Sequence, residues 1–108
     1  MIGTGFMAKT HSYGYRNLPF FADDGTCAEL VAVASRDAER GAAFAKRYGY
    51  RKVYQDWREL IADDQIEAVS ICTPNALHYE QAKAAILAGK HVYLEKPMTV
   101  TAAQAQEL

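Results

Sequence analysis

The stretch Gly3-Thr4-Gly5-Phe6-Met7-Ala8, near the amino terminus, decides the fold. It matches the pattern G-x-G-x-x-A, in which each small residue has its own geometric task. The first glycine allows a tight turn out of a strand, the second lets the backbone approach a pyrophosphate, and the small third residue lets a helix pack closely on a sheet. Phosphates then lie at the helix amino terminus, where free N–H groups and the helix dipole favour negative charge. The motif predicts a dinucleotide-binding turn, although a plain Gly-x-Gly turn also fits these residues.

Short apolar runs alternate with longer Ala-rich runs through the rest of the chain, which is typical of β-α units around a parallel sheet. The predicted strands are Leu30–Ala34, Lys52–Tyr54, Ala68–Cys72 and His91–Leu94. The predicted helices are Phe6–Leu18, which Pro19 closes, one from the cap Asp37 to Tyr48, one from the cap Asp56 to Ala62, Asn75–Ala88, and one that begins near Thr101. Gly49 and Gly89 stand where glycines end helices. The fold class is therefore α/β, with a Rossmann-type doubly wound parallel sheet.

Only Met1 and Ile2 precede the glycines, so the strand that enters the turn is largely truncated. In this topology that strand lies in the middle of the sheet, and each missing buried apolar side chain removes roughly 1.5–3 kcal/mol. A handful of such losses approaches a typical stability of about 5–15 kcal/mol. Either residues precede Met1, or a partner segment fills the gap, or the chain is only marginally folded; we favour the first. The sequence predicts one NAD(P)-binding Rossmann domain over residues 1–108, incomplete at both ends.

A polar group, Ser35-Arg36-Asp37, follows the predicted strand that ends at Ala34. At this strand end an acidic residue holds the ribose 2′-hydroxyl of NAD, or an arginine accommodates the 2′-phosphate of NADP. Arg36, with Arg40 one helical turn later, can grip a phosphate because guanidinium groups match its geometry. The pattern favours NADP, with NAD as the second choice, and makes Ser35, Arg36 and Arg40 cofactor-binding candidates. The alternative is that both arginines are solvated and Asp37 is only a helix cap.

Thr73-Pro74-Asn75 follows the next buried strand, at the edge where open α/β sheets bind ligands. The Asn75 amide offers both a donor and an acceptor. His78 lies on the first turn of the following helix and faces the same edge. A lone histidine is as often structural as functional, but this place beside the crevice favours contact with the cofactor. These four residues therefore join Gly3, Thr4, Gly5, Phe6 and Met7 as cofactor-binding candidates.

Glu95-Lys96-Pro97 lies at the carboxyl end of the last predicted strand and is the sharpest polar cluster. Three strands end near one crevice, and this one delivers a carboxylate and an ammonium. A lysine at the nicotinamide end can hold a substrate hydroxyl and help to move its proton. The alternative is a surface Lys–Glu pair, which contributes little to stability. Lys96 is the candidate catalytic residue, and Glu95 and Lys96 are both cofactor-binding candidates.

These motifs resemble the amino-terminal domain of the Gfo/Idh/MocA oxidoreductases, the glucose-fructose oxidoreductase and inositol dehydrogenase family. The resemblance covers nearly the whole chain and has three parts. They are the glycine motif with His11 after it, Thr73-Pro74-Asn75 with His78 after it, and Ala88-Gly89-Lys90-His91-Val92 leading into Glu95-Lys96-Pro97. The last block is specific to the family.

The resemblance implies a two-domain enzyme considerably longer than this chain, with a Rossmann domain that binds NAD or NADP. It implies that Asn75 and His78 contact the cofactor, that Lys96 lies near the nicotinamide and the substrate, and that a cis peptide bond precedes Pro97. The implied substrates are sugars, inositols or related polyols, which exchange a hydride with C4 of the nicotinamide. The carboxy-terminal substrate domain, which carries a catalytic aspartate and histidine, is absent, so we expect cofactor binding without turnover by this chain alone.

Composition and charge narrow the range of partners. A formal net charge of −1, with Lys and Arg scattered along the sequence, gives no reason to expect nucleic acid or an anionic membrane surface. No apolar run is long enough to cross a bilayer, and no signal peptide is evident. Cys27 and Cys72 form neither a metal-like spacing nor a disulfide framework. We therefore predict no metal site and a cytoplasmic protein with two reduced thiols.

The leading hypothesis is the nucleotide-binding part of an NAD(P)-dependent oxidoreductase whose longer parent acts on a sugar or polyol and forms a homo-oligomer. The alternative is a noncatalytic NAD(P)-binding sensor or scaffold, because the Rossmann glycines serve both roles. Lys96 separates the two hypotheses, since a sensor needs no lysine at the nicotinamide end.

Overall fold

Four short parallel strands and Ile2 form one sheet in a computed structural model that describes residues 1–108. The strands are β1 (Ala32–Ala34), β2 (Lys52–Tyr54), β3 (Ala68–Ile71) and β4 (His91–Leu94). β1 pairs with β2 and β3 pairs with β4, both in parallel. Ile2 joins the two pairs through parallel bridges to Ala34 and Ile71. The order β2-β1-Ile2-β3-β4 confirms the Rossmann-type sheet, with the residue before the glycines at its centre.

Helices cover both faces of this sheet. They are α1 (Phe6–Phe21), α2 (Ala38–Tyr48), α3 (Trp57–Ala62), α4 (His78–Leu87) and α5 (Ala102–Glu107), with a 3₁₀ helix (Asn75–Leu77) before α4. α1 and α2 lie on one face, where Ala8, Val33 and Phe44 share a buried cluster. α3 and α4 lie on the other face, where Leu60 and Ala82 pack with alternate residues of β1 and β3. The sheet is therefore doubly wound, as predicted. None of the helices combines the length and the apolar character that a bilayer crossing requires.

The predicted capping residues act at several helix ends. Asp37 begins α2, and its carboxylate accepts the backbone N–H of Arg40 at 3.0 Å. Gly49 ends the same helix with φ 84°, a left-handed conformation that favours glycine. The last helix was predicted to begin near Thr101 without a named cap, and the structure shows that Thr101 and Gln104 form a capping box there, in which each side chain bonds the backbone of the other. These ends depend on residues close in sequence, which is why the pattern located them.

The predicted end of α1 is wrong, because the helix does not stop at Pro19 but continues to Phe21. A proline has no backbone N–H, so Pro19 removes one hydrogen bond from the helix. It lies in the last turn, where few bonds remain to be disturbed. The backbone N–H of Ala22 still bonds the Leu18 carbonyl at 2.9 Å, and the chain therefore keeps its helical path past the proline.

Other predicted boundaries differ by one to three residues. The segment after β3 begins as a 3₁₀ turn at Asn75, and the α-helix starts only at His78. Here the N–H of Leu77 bonds the Pro74 carbonyl, the three-residue spacing of a 3₁₀ helix. The strand predicted from Leu30 has regular pairing only from Ala32, and the next strand ends one residue before Cys72. Element ends shift in this way because the hydrophobic pattern has no sharp limit.

The sheet is open between β1 and β3 on the amino side of Ile2. A cavity of about 480 Å³ lies there, and 12 of its 16 lining residues are hydrophobic. The α-amine of Met1 borders the cavity and donates to the Ala32 carbonyl at 2.9 Å. Burial lowers the pKa of this amine to about 5, an effect that Cys72 partly opposes. The lining of this cavity is therefore mostly apolar, and within residues 1–108 Met1 and Ile2 connect β1 with β3 beside it.

Candidate functional site

A crevice of about 580 Å³ lies at the carboxyl ends of β1 and β3. It brings together eight of the predicted cofactor-binding residues: Gly3, Thr4, Gly5, Ser35, Arg36, Arg40, Thr73 and Pro74. Only 5 of its 18 lining residues are hydrophobic, so this edge of the sheet is polar where the opposite edge is apolar. A polar crevice at the carboxyl ends of parallel strands, where the strand order reverses, is the ordinary ligand site of this topology.

The glycine turn has the geometry that a pyrophosphate site requires. Gly3 has φ 103°, and a Cβ atom there would lie 2.8 Å from the Cys72 carbonyl oxygen. A Cβ on Gly5 would meet no heavy atom within 4 Å, so the backbone at Gly5 faces open space. α1 has neither a side-chain cap nor an acidic residue in its first turn, and its first N–H groups remain available. Ala8 is fully buried, as expected for the small residue that brings the helix onto the sheet.

Phe6 and Met7 contribute to this turn through the backbone. The Phe6 side chain is 79% exposed, and neither side chain lines the crevice. Their N–H groups belong to the first helical turn, where intrahelical acceptors are lacking. An anion at the amino terminus of α1 would therefore meet their amides rather than their side chains.

Arg36 and Arg40 lie on the β1 side of the crevice with exposed side chains. Neither guanidinium forms an ion pair within the chain. Asp37 stands between them in sequence, but its Oδ1 accepts the Arg40 N–H as the cap of α2. The positive groups at this strand end are thus free to bind an anion, whereas the carboxylate already has a structural partner.

Asn75 and His78 converge on one backbone atom, the carbonyl oxygen of Pro97. Asn75 Nδ2 donates to it at 2.7 Å, and His78 Nδ1 lies 3.0 Å from it. His78 Nε2 lies 2.8 Å from the Thr73 carbonyl oxygen, and the side chain is almost fully buried. Neither residue lines the crevice; both hold the loop after β4 against the loop after β3. Their contact with a cofactor stays a prediction.

Glu95 and Lys96 follow β4 and lie beside the crevice rather than in its lining. The Glu95 Oε2 atom accepts the backbone N–H of Lys96 at 3.1 Å. Its Oε1 atom lies 3.0 Å from Nε2 of His11, which reaches over from α1. The Lys96 side chain is exposed, and the peptide bond before Pro97 is cis, as the resemblance implies. The end of β4 is therefore held firmly through its backbone, while the ammonium is free.

The sequence analysis missed a second group of crevice residues at the end of β2 and on the helices beside it. The residues are Gln55, Trp57, Arg58, Leu77, Glu80 and Gln81. The Arg58 guanidinium lies 4.2 Å from the centre of the Trp57 ring and bonds Glu80 at 2.5 Å. Gln55 directly follows β2, so the strand-end rule applied to the neighbouring strands would have found it. His11 was noticed only as part of the resemblance, and its contact with Glu95 had no local signal.

Comparison with known proteins identifies the family. The Gfo/Idh/MocA family, described as an oxidoreductase family with an NAD-binding Rossmann fold, matches residues 1–108. This chain belongs to the Gfo/Idh/MocA oxidoreductases. Levoglucosan dehydrogenase of Pseudarthrobacter phenanthrenivorans is 39% identical over 109 residues, which cover 100% of this chain and 28% of that protein. A scyllo-inositol 2-dehydrogenase (NADP(+)) of Bacillus subtilis is 41% identical over 80 residues, or 74% of this chain and 24% of that protein. The chain thus spans less than a third of these relatives.

Solved structures of this Gfo/Idh/MocA type agree with the fold. An NAD binding oxidoreductase from Klebsiella pneumoniae superposes with a TM-score of 0.92 and 47% identity, covering 98% of this chain and 28% of that one. Levoglucosan dehydrogenase in complex with NADH also gives a TM-score of 0.92, with 40% identity over 97% of this chain and 29% of that one. The likeness covers the nucleotide-binding fold and not the remainder of those proteins. No group of three or more His, Cys, Asp or Glu side chains is arranged to hold a metal ion.

Proposed function

We propose that this chain is the NAD(P)-binding domain of a longer oxidoreductase that transfers a hydride between a nicotinamide cofactor and a sugar, inositol or related polyol. The observation that carries the proposal is the polar crevice, where the uncapped start of α1 lies across from two unpaired arginines. Relatives named for levoglucosan and scyllo-inositol support the substrate class. A domain for the substrate, an oligomeric assembly of the parent and a cytoplasmic location belong to the same proposal.

The pyrophosphate of the cofactor fits the start of α1. Gly3 and Gly5 keep side chains out of the turn, and the amides from Thr4 to Met7 supply donors. No acidic residue in the first turn of α1 repels a phosphate. We assign binding of the pyrophosphate to these five residues, with the helix dipole adding to the attraction.

The adenosine end of the cofactor fits Ser35, Arg36 and Arg40, and we propose NADP as the preferred form. Both guanidinium groups are exposed in the crevice without a carboxylate partner. A 2′-phosphate would give them a negatively charged partner. Asp37, the residue that would favour NAD, already caps α2. An NADP(+)-named relative accords with this preference, whereas the levoglucosan dehydrogenase structure contains NADH.

A fluorescence titration of the 108-residue chain with NADPH and NADH tests the cofactor site. We expect tighter binding of NADPH, and Arg36→Ala should weaken it by roughly tenfold to a hundredfold, as for a lost charged hydrogen bond. NADH affinity should barely change. Arg47→Ala, in the last turn of α2 and outside the crevice, is the matched control. Equal affinities for NADPH and NADH would contradict the NADP preference and still support a cofactor site in the crevice. If neither nucleotide binds, the proposed cofactor site is wrong.

The nicotinamide end fits the loops after β3 and β4. The bound nicotinamide supplies or accepts the hydride. Thr73 and Pro74 line this side of the crevice, and Asn75 and His78 hold its loops together through the Pro97 carbonyl. Lys96, with a free ammonium on a firmly held backbone, would bind the substrate hydroxyl and move its proton. A noncatalytic sensor would gain nothing from Lys96, which favours the enzyme.

A further inference from the structure

His11 connects two parts of the crevice that are distant in sequence. It lies on the second turn of α1, the helix whose first turn carries the glycine motif. Its Nε2 is 3.0 Å from Glu95 Oε1 and its Nδ1 is 3.4 Å from the Cys72 sulfur. The side chains of His11 and Glu95 are only 10% and 13% exposed. The Tyr93 ring packs edge-on against the imidazole, with 4.8 Å between ring centres. The imidazole is therefore held on several sides.

The direction of the His11–Glu95 hydrogen bond follows from the carboxylate. An ionised carboxylate only accepts hydrogen bonds, so Nε2 of His11 carries a proton and donates it to Glu95. Burial, together with the nearby Glu95 carboxylate, raises the pKa of Cys72 to about 12, so the thiol keeps its proton beside Nδ1 of His11. The other Glu95 oxygen accepts the backbone N–H of Lys96 at 3.1 Å.

We propose that His11 is a positioning residue for Lys96 that acts through Glu95. This inference rests on the proposed function, because it concerns the lysine assigned to the nicotinamide end. In the proposed function α1 meets the pyrophosphate at its first turn, and it contacts Glu95 from its second. One helix therefore connects the pyrophosphate turn to the nicotinamide end of the site. Without the histidine, the mostly buried Glu95 carboxylate loses its partner, turns toward water and releases the Lys96 N–H.

Two substitutions distinguish the His11–Glu95 hydrogen bond from the packing of the His11 ring against Tyr93. His11→Phe keeps a ring against Tyr93 but removes the donor to Glu95. His11→Gln places an amide N–H near the position of Nε2 and should restore the bond. Lys9→Ala, at an exposed position of the same helix, is the control.

The first readout is the Lys96 backbone amide in the NMR spectrum of the 108-residue chain. An amide bonded to a carboxylate resonates downfield and exchanges slowly with solvent. We expect His11→Phe to shift the signal upfield and speed its exchange, and His11→Gln and Lys9→Ala to leave it near its original position. An unchanged Lys96 signal in the folded His11→Phe chain would overturn the proposal.

The second readout is the affinity for NADPH compared with 2′-phospho-ADP-ribose, which lacks the nicotinamide. His11→Phe frees the backbone of the loop after β4, which Lys96→Ala leaves in place. It should therefore weaken NADPH binding by roughly tenfold, about 1.4 kcal/mol, and change the affinity for the shorter nucleotide by less than about twofold. Equal weakening of both would indicate a general structural role and overturn the proposal. If the unsubstituted chain binds neither nucleotide, the proposed function fails, while the amide measurement still decides the role of His11.

Discussion

The two edges of the central sheet differ sharply in how they are held. At the carboxyl edge, hydrogen bonds from Asn75 and His78 fix the Pro97 carbonyl, and Glu95 fixes the Lys96 backbone. At the amino edge, an apolar cavity of about 480 Å³ separates β1 from β3, and the buried amine of Met1 borders it. The loops after β3 and β4 are thus held by polar contacts, while an apolar cavity lies at the opposite end of the sheet.

This contrast implies that cofactor binding and stability are separable in this chain. A change at the amino edge should alter the free energy of unfolding and leave nucleotide affinity of the folded chain intact. A change at an exposed crevice residue that is assigned to the nucleotide, such as Arg36, should do the reverse. Three predictions test this separation of cofactor binding from stability.

The largest effect is expected at Gly3. This residue follows Ile2 at the centre of the sheet and also lines the crevice, so a change there should alter both stability and nucleotide affinity. In Gly3→Val the Cβ would lie 2.8 Å from the Cys72 carbonyl oxygen, at a backbone φ of 103°. Strain and overpacking together should lower the free energy of unfolding by about 3–6 kcal/mol, and the distorted turn should abolish NADPH binding. Urea denaturation and a nucleotide titration measure the two effects.

Gly14→Ala is the matched glycine control for this experiment. Gly14 lies within α1, and a Cβ there meets no heavy atom within 4 Å. The added helix propensity should raise the free energy of unfolding by roughly 0.5–1 kcal/mol. A Gly3→Val chain that denatures at the same urea concentration as the original would contradict the steric account of the turn.

The next effect belongs to the amino edge of the 108-residue chain, in which Met1 carries a free amine. Burial gives this amine a pKa of about 5 in the folded chain, against an ordinary value of 8.0. Between these values the unfolded chain binds more protons than the folded one, so the free energy of unfolding rises with pH. Across this window the change should reach about 4 kcal/mol, with stability lost as the pH falls from 8 toward 5. Urea denaturation at a series of pH values measures it.

Acetylation of the Met1 amine provides the control for the pH effect. An acetylated amine no longer titrates but keeps an N–H for the Ala32 carbonyl. The acetylated chain should therefore lose most of the dependence on pH between 5 and 8. If the free energy of unfolding of the acetylated chain still changes with pH between 5 and 8, other groups cause the effect and the Met1 amine does not.

The smallest effect on both stability and affinity is expected at Lys96. Its side chain is exposed, so Lys96→Ala should change the free energy of unfolding by less than about 0.5 kcal/mol. NADPH affinity should remain nearly the same, because the lysine is assigned to the substrate. In a longer protein that includes a substrate domain, the same change should abolish hydride transfer, measured as NADPH oxidation or formation. Transfer that survives the substitution would contradict the catalytic role.

Local sequence patterns predicted most elements of the fold because the interactions that end a helix or turn a chain span only a few residues. Asp37 reaches the N–H of Arg40, three positions away, and Gly49 ends α2 through its own backbone conformation. Eight crevice residues were also predictable, since the carboxyl ends of parallel strands meet at one edge. The end of α1 was not predictable from local sequence. The free energy that Pro19 costs the helix depends on how many helical hydrogen bonds follow it.

Sequence alone determined the family resemblance, the Rossmann-type sheet and the residues at its carboxyl edge. Only the tertiary structure decided which atoms the long side chains reach. It placed His11 on Glu95, 84 residues away, and directed His78 to two carbonyl oxygens. Such contacts depend on how helices and strands from distant parts of the chain pack, and neither periodicity nor spacing along the sequence carries that information.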